Sequence, residues 1–78
     1  MLVREHLSTL EEVVLLEEET DIQLQCACLI VIIYSKCGDK SYLANVYSAW
    51  RVCQQKGLTE KALADSSLKG IEINFLPP

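Results

Sequence analysis

The residues that could carry chemistry in this sequence are its four cysteines and its single histidine. Thiolates and imidazole nitrogens are the usual zinc ligands, and structural zinc sites take cysteine pairs at C-x-x-C spacing around a turn. The close pair, Cys26 and Cys28, has C-x-C spacing instead, and in a helix these side chains point about 200° apart. His6 lies far from both along the chain. We therefore expect no metal site.

The types and spacing of the residues also match no catalytic arrangement. The serines and cysteines have no histidine close to them in sequence, and His6 lies beside Glu5 before the first predicted helix, where we expect it to be exposed. The three glycines are isolated at predicted helix ends, so no glycine-rich loop is expected to bind phosphate. Glu11 and Glu12 are adjacent and point apart on a helix, without an E-x-x-H pattern. The sequence predicts a protein that is not an enzyme and uses no cofactor.

The expected location follows from the segments that the sequence lacks. No basic region, apolar stretch and small-residue cleavage site occur together at the amino terminus, as a signal peptide would require. The longest apolar run, residues 26–34, falls well short of the ~20 residues that cross a bilayer. We predict a cytoplasmic protein without membrane insertion. In that compartment the cysteines, which are mostly in apolar helical stretches, are expected to be free, buried thiols; they are Cys26, Cys28, Cys37 and Cys53.

Length and charge bound the class of protein. The chain has 78 residues, 50% of them hydrophobic, and a net charge of −4. This acidic balance opposes binding to phosphates, so no nucleic-acid partner is expected. A single domain over residues 1–78 would bury only ~60–65% of the surface of its unfolded chain. Because so many residues are apolar, we expect apolar surface to remain for a partner protein or a second copy.

The charge is concentrated at one end of the chain. Residues 1–21 contain seven acidic residues and one arginine, whereas residues 22–78 contain six basic and four acidic residues. We expect an acidic amino-terminal helix within residues 1–20. This distribution favours docking to a partner or of one part of the chain on the other, and a solvated acidic helix face is the alternative.

Hydrophobic periodicity and capping signals predict an all-α protein. The first half of the chain contains two of the predicted helices. An amphipathic pattern containing the S-x-x-E motif of Ser8 and Glu11 predicts a first helix over residues 8–16. Residues 21–37 are apolar nearly all round and run for longer than a usual strand without a turn signal. We therefore expect a central, buried helix there, ended by Gly38 in a left-handed conformation.

The second half predicts two more helices and a tail. Asp39 or Ser41 can cap an amphipathic third helix, which Gly57 ends. A short fourth helix is expected between Gly57 and Gly70. Residues 71–78 alternate apolar and polar side chains and contain prolines, which predicts a half-apolar, extended tail. The predicted fold is a small array of two to four helices in antiparallel hairpins.

The hexapeptide of residues 34–39 ends one predicted helix and leads into the next, a layout typical of the tetratricopeptide repeat. With Gly38 at the turn position, the repeat unit spans residues 24–57, Tyr34 takes the aromatic position of its first helix and Tyr47 that of its second. Other positions carry residues that the repeat does not favour, so the unit resembles a degenerate tetratricopeptide-like hairpin. The hexapeptide is also similar to a phrase of pentatricopeptide RNA-binding repeats, but one acidic unit is not expected to read RNA.

The hairpin, with its strongly apolar helix, resembles the small chaperones of type III secretion needle subunits over residues 21–68. The resemblance implies a chaperone or adaptor that holds an amphipathic helix of a needle subunit and prevents premature polymerisation, together with a second small co-chaperone. The aromatic residues and the apolar tail are then candidate partner contacts, and a core position in the hairpin is the other interpretation of each. These candidates are Tyr34, Tyr47, Trp50, Ile71, Ile73 and Phe75.

Two other functions agree with the same sequence. One is an acidic helical interaction protein of the antitoxin or immunity type, which the charge at the amino terminus favours. The other is a homo-oligomeric helical bundle, which the excess of apolar residues in a short chain favours. All three interpretations predict a protein partner and none predicts a small-molecule ligand.

Overall fold

Four helices follow one another in the part of the chain that the structure describes, joined by short turns. The structure is a computed structural model that describes residues 3–76. Within that range no residue is in a strand, so the predicted all-α fold class is confirmed. The elements in chain order are α1 (Val3–Leu16), α2 (Thr20–Cys37), a 3₁₀ turn (Lys40–Tyr42), α3 (Leu43–Gln55), α4 (Thr59–Ala64) and a second 3₁₀ turn (Ser66–Leu68).

The helix α2 lies at the centre of the fold and packs against α1, α3 and α4. On one side Ile30 and Tyr34 belong to a core cluster that α1 and α3 complete. On another side Val31 belongs to a second cluster, which contains Trp50 of α3 and Ala62 of α4. Each large aliphatic side chain buried in this way contributes about 1.5–3 kcal/mol. The prediction of a central helix over residues 21–37 is confirmed, with its start one residue earlier.

The helix α1 begins at Val3, earlier than the predicted start at Ser8. Leu7 is fully buried, and Val3 extends the apolar spacing of this face back by one turn. Ser8 and Glu11 therefore lie inside the helix. The backbone amides there are already bonded within the helix, so a capping box has no free amide to satisfy. The Glu11 carboxylate instead accepts a hydrogen bond of 2.7 Å from the Asn45 side chain of α3. The motif was a wrong start signal, and its acidic residue ties two helices together.

A buried glutamine holds the junction between α1 and α2. In the link, the Glu18 amide donates to the Glu17 carboxylate, so it does not continue the helical bonding to the Val14 carbonyl. Gln23 Nε2 donates to that carbonyl at 2.8 Å, and Gln23 Oε1 accepts from Lys56 Nζ at 2.7 Å. Gln23 is only 1% exposed. It therefore connects the end of α1, the start of α2 and the end of α3.

Glycines with positive φ lie where α2 and α3 end, as predicted. Gly38 has φ 70° and donates its amide to the Tyr34 carbonyl at 2.8 Å. Gly57, also at φ 70°, follows α3. Asp39 caps the 3₁₀ turn that leads into α3, because its carboxylate accepts from the Ser41 amide. The hydrogen bonds from Ser41 hold the pKa of Asp39 below its ordinary value.

The fourth helix ends at Ala64, well before Gly70. Asp65 has an extended backbone, φ −64° and ψ 134°, and its carboxylate accepts from both the amide and the hydroxyl of Ser67. Local side-chain bonds of this kind offer the backbone an alternative to helix. They start the second 3₁₀ turn and hold the pKa of Asp65 below its ordinary value.

Residues 71–76 fold back onto the helices. The Leu76 amide donates to the Ile73 carbonyl at 3.0 Å, which closes a turn. Alternate residues of the segment are half-buried against the core clusters, while Glu72 and Asn74 are exposed. The apolar residues of the predicted alternation therefore pack against the helices of the same chain. Pro77 and Pro78 of the predicted tail lie outside the described residues.

Replacing Gln23 with methionine tests the junction. Gln23→Met keeps the length of the side chain but removes both of its hydrogen bonds and leaves the Val14 carbonyl unpaired. We expect the free energy of unfolding, measured by urea denaturation, to fall by about 1–3 kcal/mol. The control Lys56→Met should cost less, because water can replace the ammonium group at this exposed end. Equal losses in the two variants would contradict the role given to Gln23.

The left-handed turn at Gly38 can be tested without changing packing. No atom lies within 4 Å of a Cβ added at this position, so the cost of a substitution is that of the backbone. We expect Gly38→Ala to lower the free energy of unfolding by about 1–2 kcal/mol. Gly38→Asn should cost less, since asparagine tolerates this conformation better. Identical stability of the glycine and alanine proteins would rule out the left-handed cap.

Candidate protein-binding surface

Two of the predicted contact residues, Tyr34 and Trp50, are in the core. Tyr34 is 7% exposed and Trp50 is 2% exposed. The Tyr34 ring meets the Phe75 ring edge to face, with 4.6 Å between centroids, whereas Trp50 packs in the second cluster with Leu68. Neither ring is open to a partner while the described elements stay packed. Of the two interpretations given to Tyr34 and Trp50, the structure therefore agrees with a core position in the hairpin.

The predicted contacts in the tail are only partly available. Ile71, Ile73 and Phe75 are half-buried, and all three pack against the second cluster. Phe75 also packs against the first cluster, where Tyr34 lies. The tail therefore covers apolar surface of its own chain before it can offer any to a partner.

Tyr47 is the predicted contact residue that the structure leaves on the surface, with 38% of its area exposed. The buried face of α3 consists of Val46, Ala49, Trp50 and Cys53. Tyr47 lies at the edge of that face, toward α1. There it borders an open groove of about 530 Å³ between α1 and α3, which we call the α1/α3 groove. Its lining includes Leu15, Ala44, Tyr47, Ser48, Arg51 and Gln55.

The α1/α3 groove combines apolar surface with a cation. Leu15 of α1 is 50% exposed, and Arg51 lies one helical turn after Tyr47 on α3. Tyrosine and arginine are enriched among the residues that dominate binding energy at protein interfaces. Sequence reasoning identified Tyr47 and missed Leu15 and Arg51. The signal for Leu15 was present, because Leu15 and Leu16 are adjacent and cannot both lie on the buried side of one helix.

A second apolar surface runs along the outer side of α2. Ile22 is 39% exposed and Leu29 is 46% exposed. Cys26, which lies between them, and Ile33, which follows Leu29 by one turn, are half-buried. We call these four residues the α2 stripe. A groove lined in part by His6 and Leu10 of α1 flanks Leu29 and Ile33. The apolar pattern predicted a central, buried helix, and six of the eighteen residues of α2 are buried.

The four cysteines are free and lie in different environments. Cys28 and Cys53 are buried, Cys26 is half-buried and Cys37, at the end of α2, is exposed. Burial raises the pKa of the Cys28 thiol to about 11, and it also raises the pKa of Cys53. Within residues 3–76, no group of three or more possible ligands could hold a metal ion. The expectation of buried thiols fails at Cys37, because the helix end leaves that side chain in solvent.

The length and composition of α2 would also suit a membrane span. The same test is passed by the central helix of a compact helical protein. In this structure α2 packs against three other helices and carries the buried Gln23 with its two hydrogen bonds. The structure therefore gives α2 a role in the core.

Searches of protein families, curated proteins and solved structures found no match to this chain. The resemblance to needle-subunit chaperones over residues 21–68 therefore stays a prediction. Exposed apolar side chains of two helices meet in the α1/α3 groove, and exposed apolar side chains of one helix line up in the α2 stripe.

The thiol environments predict both reactivity and pH dependence. At neutral pH we expect Cys37 to react first with a thiol reagent, and Cys28 only after unfolding. The ordinary pKa of Cys28 is 9.0 and its folded value is about 11, so the unfolded chain releases the proton first as pH rises. The stability that this thiol contributes is complete below pH 9 and is lost toward pH 11.

The measurement is the urea midpoint between pH 8 and 11, compared among variants. We expect a smaller decline with pH in Cys28→Ala than in the parent protein, and an unchanged decline in the control Cys37→Ala. A pH dependence that is the same in all three proteins would contradict the assignment of a raised pKa to Cys28.

Proposed function

We propose that this protein is a helical protein-binding module that holds an amphipathic segment of a partner protein in the α1/α3 groove. The observation that carries the proposal is the exposure of Tyr47 and Leu15 on facing helices, at the two sides of one open groove. Exposed aliphatic and aromatic side chains that converge in a groove are typical of surfaces that receive the apolar face of a helix.

The groove also determines what the bound segment should look like. Its apolar face would contact Leu15 and the Tyr47 ring, and a carboxylate on the segment would pair with the Arg51 guanidinium. Basic residues at the rim would be attracted by the acidic residues of α1 and of the link, residues 17–19. An amphipathic helix with mixed charge at its borders therefore fits better than a purely acidic or purely basic peptide.

The form of this function that the resemblance implies is a chaperone of a type III secretion needle subunit. In that form the bound segment would be the amphipathic carboxyl-terminal helix of the subunit, and the module would keep the subunit from polymerising early. An antitoxin or immunity protein would use the same groove for a different partner. The identity of the bound protein separates these forms, and the groove is common to both.

The test begins with a photo-crosslinking amino acid at position 47 in the native host. We expect one prominent protein adduct, identified by mass spectrometry, which is absent when the crosslinker is at the exposed Leu63 of α4. The purified partner is then titrated against variants of this protein. Tyr47→Ala should weaken binding by about thirtyfold, which corresponds to ~2 kcal/mol for a residue that anchors an interface.

Leu63→Ala is the matched control, because Leu63 is 47% exposed and lies outside the groove. We expect its affinity to stay within about threefold of the parent protein, since truncations outside an anchor are close to neutral. Circular dichroism should show the same helix content for both variants, as both side chains are on the surface. Equal affinity of the Tyr47→Ala protein and the parent would reject the groove as the binding site.

A further inference from the structure

We propose that a second copy of this chain packs on the α2 stripe, with the two α2 helices antiparallel across a twofold axis. This inference goes beyond the proposed function, because the α2 stripe and the α1/α3 groove have no lining residue in common. It rests on three features of α2, namely the exposure of the stripe, its spacing and the charges at its two ends.

Two of the four stripe residues are exposed, and the other two are half-buried against the first core cluster. The buried residues of α2 are Gln23, Ala27, Cys28, Ile30, Val31 and Tyr34. Ile22 and Leu29 are large aliphatic side chains that remain about two-fifths exposed or more, and Cys26 and Ile33 complete the same line. From Ile22 to Ile33 this line extends over about 17 Å of the helix, at 1.5 Å per residue. It is therefore long enough to pack against another helix over most of its length.

The spacing of the stripe matches a helix-pairing seam. Residues 22, 26, 29 and 33 are separated by four, three and four positions, which is the heptad spacing of apolar residues in helix pairs. This series reads the same in both directions. When a second α2 runs antiparallel, Ile22 therefore lies against Ile33 of the second copy, and Cys26 lies against Leu29 of the second copy. A twofold axis makes every contact occur twice, as a closed dimer requires.

The charges at the ends of the stripe select the antiparallel arrangement. Continuing the heptad spacing by one position at each end leads to Glu19 and Lys36, both exposed. The same twofold axis that pairs Ile22 with Ile33 places Glu19 against Lys36 of the second copy. In a parallel pair, Glu19 would lie against Glu19 and Lys36 against Lys36. The antiparallel dimer therefore joins opposite charges twice, and the parallel dimer joins like charges twice.

A dimer of this kind would leave both copies of the α1/α3 groove open. Two grooves on one particle would bind two segments of a multimeric partner, and the second binding event would gain from the high effective concentration of the first. The dimer is nevertheless defined by α2 alone. A failure of dimerisation and a failure of partner binding would therefore appear in different variants.

Sedimentation equilibrium over a micromolar concentration range is the first measurement. We expect the parent protein to form a dimer with a measurable dissociation constant. Leu29→Lys places an ammonium group in the centre of the seam and should raise that constant at least about tenfold. Leu63→Lys, at an equally exposed position of α4, should leave it unchanged, and so should Tyr47→Ala. A parent protein that stays monomeric throughout, or equal weakening by Leu29→Lys and Leu63→Lys, overturns the proposal.

A charge exchange tests the direction of the helices. Glu19→Lys and Lys36→Glu should each weaken the dimer by about three- to tenfold, because each creates two like-charge contacts of surface type. The double variant restores opposite charges in the antiparallel pair and should regain the affinity of the parent protein. Thermal unfolding of each variant checks that the monomer fold is retained, and we expect melting curves like that of the parent protein. Failure of the double variant to recover would exclude the antiparallel seam.

Discussion

The fold depends on one constraint, which is that α2 is apolar on nearly every side and must be covered by several neighbours. The first core cluster covers it with α1 and α3, and the second covers it with α3, α4 and residues 71–76. A helix of this kind would pack in any orientation, since apolar contacts have no direction. Gln23 removes that freedom, because its buried amide has to meet the Val14 carbonyl and the Lys56 ammonium group. The rotation of α2 then determines which residues stay outside.

The predicted parts of the fold are those that local chemistry determines. Gly38 and Gly57 end helices because few other residues adopt a positive φ, and Asp39 caps a turn with its own side chain. The unpredicted parts depend on residues distant in sequence. The early start of α1 needs a pocket for Leu7, and the role of Gln23 needs the ends of two other helices. The end of α4 at Ala64 was a local event of a different kind, in which the Asp65 carboxylate competed with the helix for amides.

The candidate surface was predicted less well than the fold, for a related reason. Periodicity shows which residues share a face of a helix, but it does not show whether the covering element comes from the same chain. Tyr34 is covered by Phe75, and Trp50 is covered by α4 and its neighbours, although both had the composition of interface residues. Tyr47 stays exposed because it lies at the edge of the buried face of α3, whereas Trp50 lies within that face. The exposed residues of α2 were not predicted, because α2 is apolar on nearly every side. Its sequence therefore has no periodic change from apolar to polar residues that would mark the exposed face.

The contact between Tyr34 and Phe75 joins residues that are 41 positions apart in the sequence. The pairs α1 with α2 and α2 with α3 join neighbours in the chain and form early, because short loops are quick to close. Phe75 lies twenty residues after the end of α3, so the three longer helices can pack together before residues 71–76 cover one side of α2. Until those residues pack, the Tyr34 ring stays open to solvent. Completion of the core therefore waits for the closure of a longer loop than any that joins neighbouring helices.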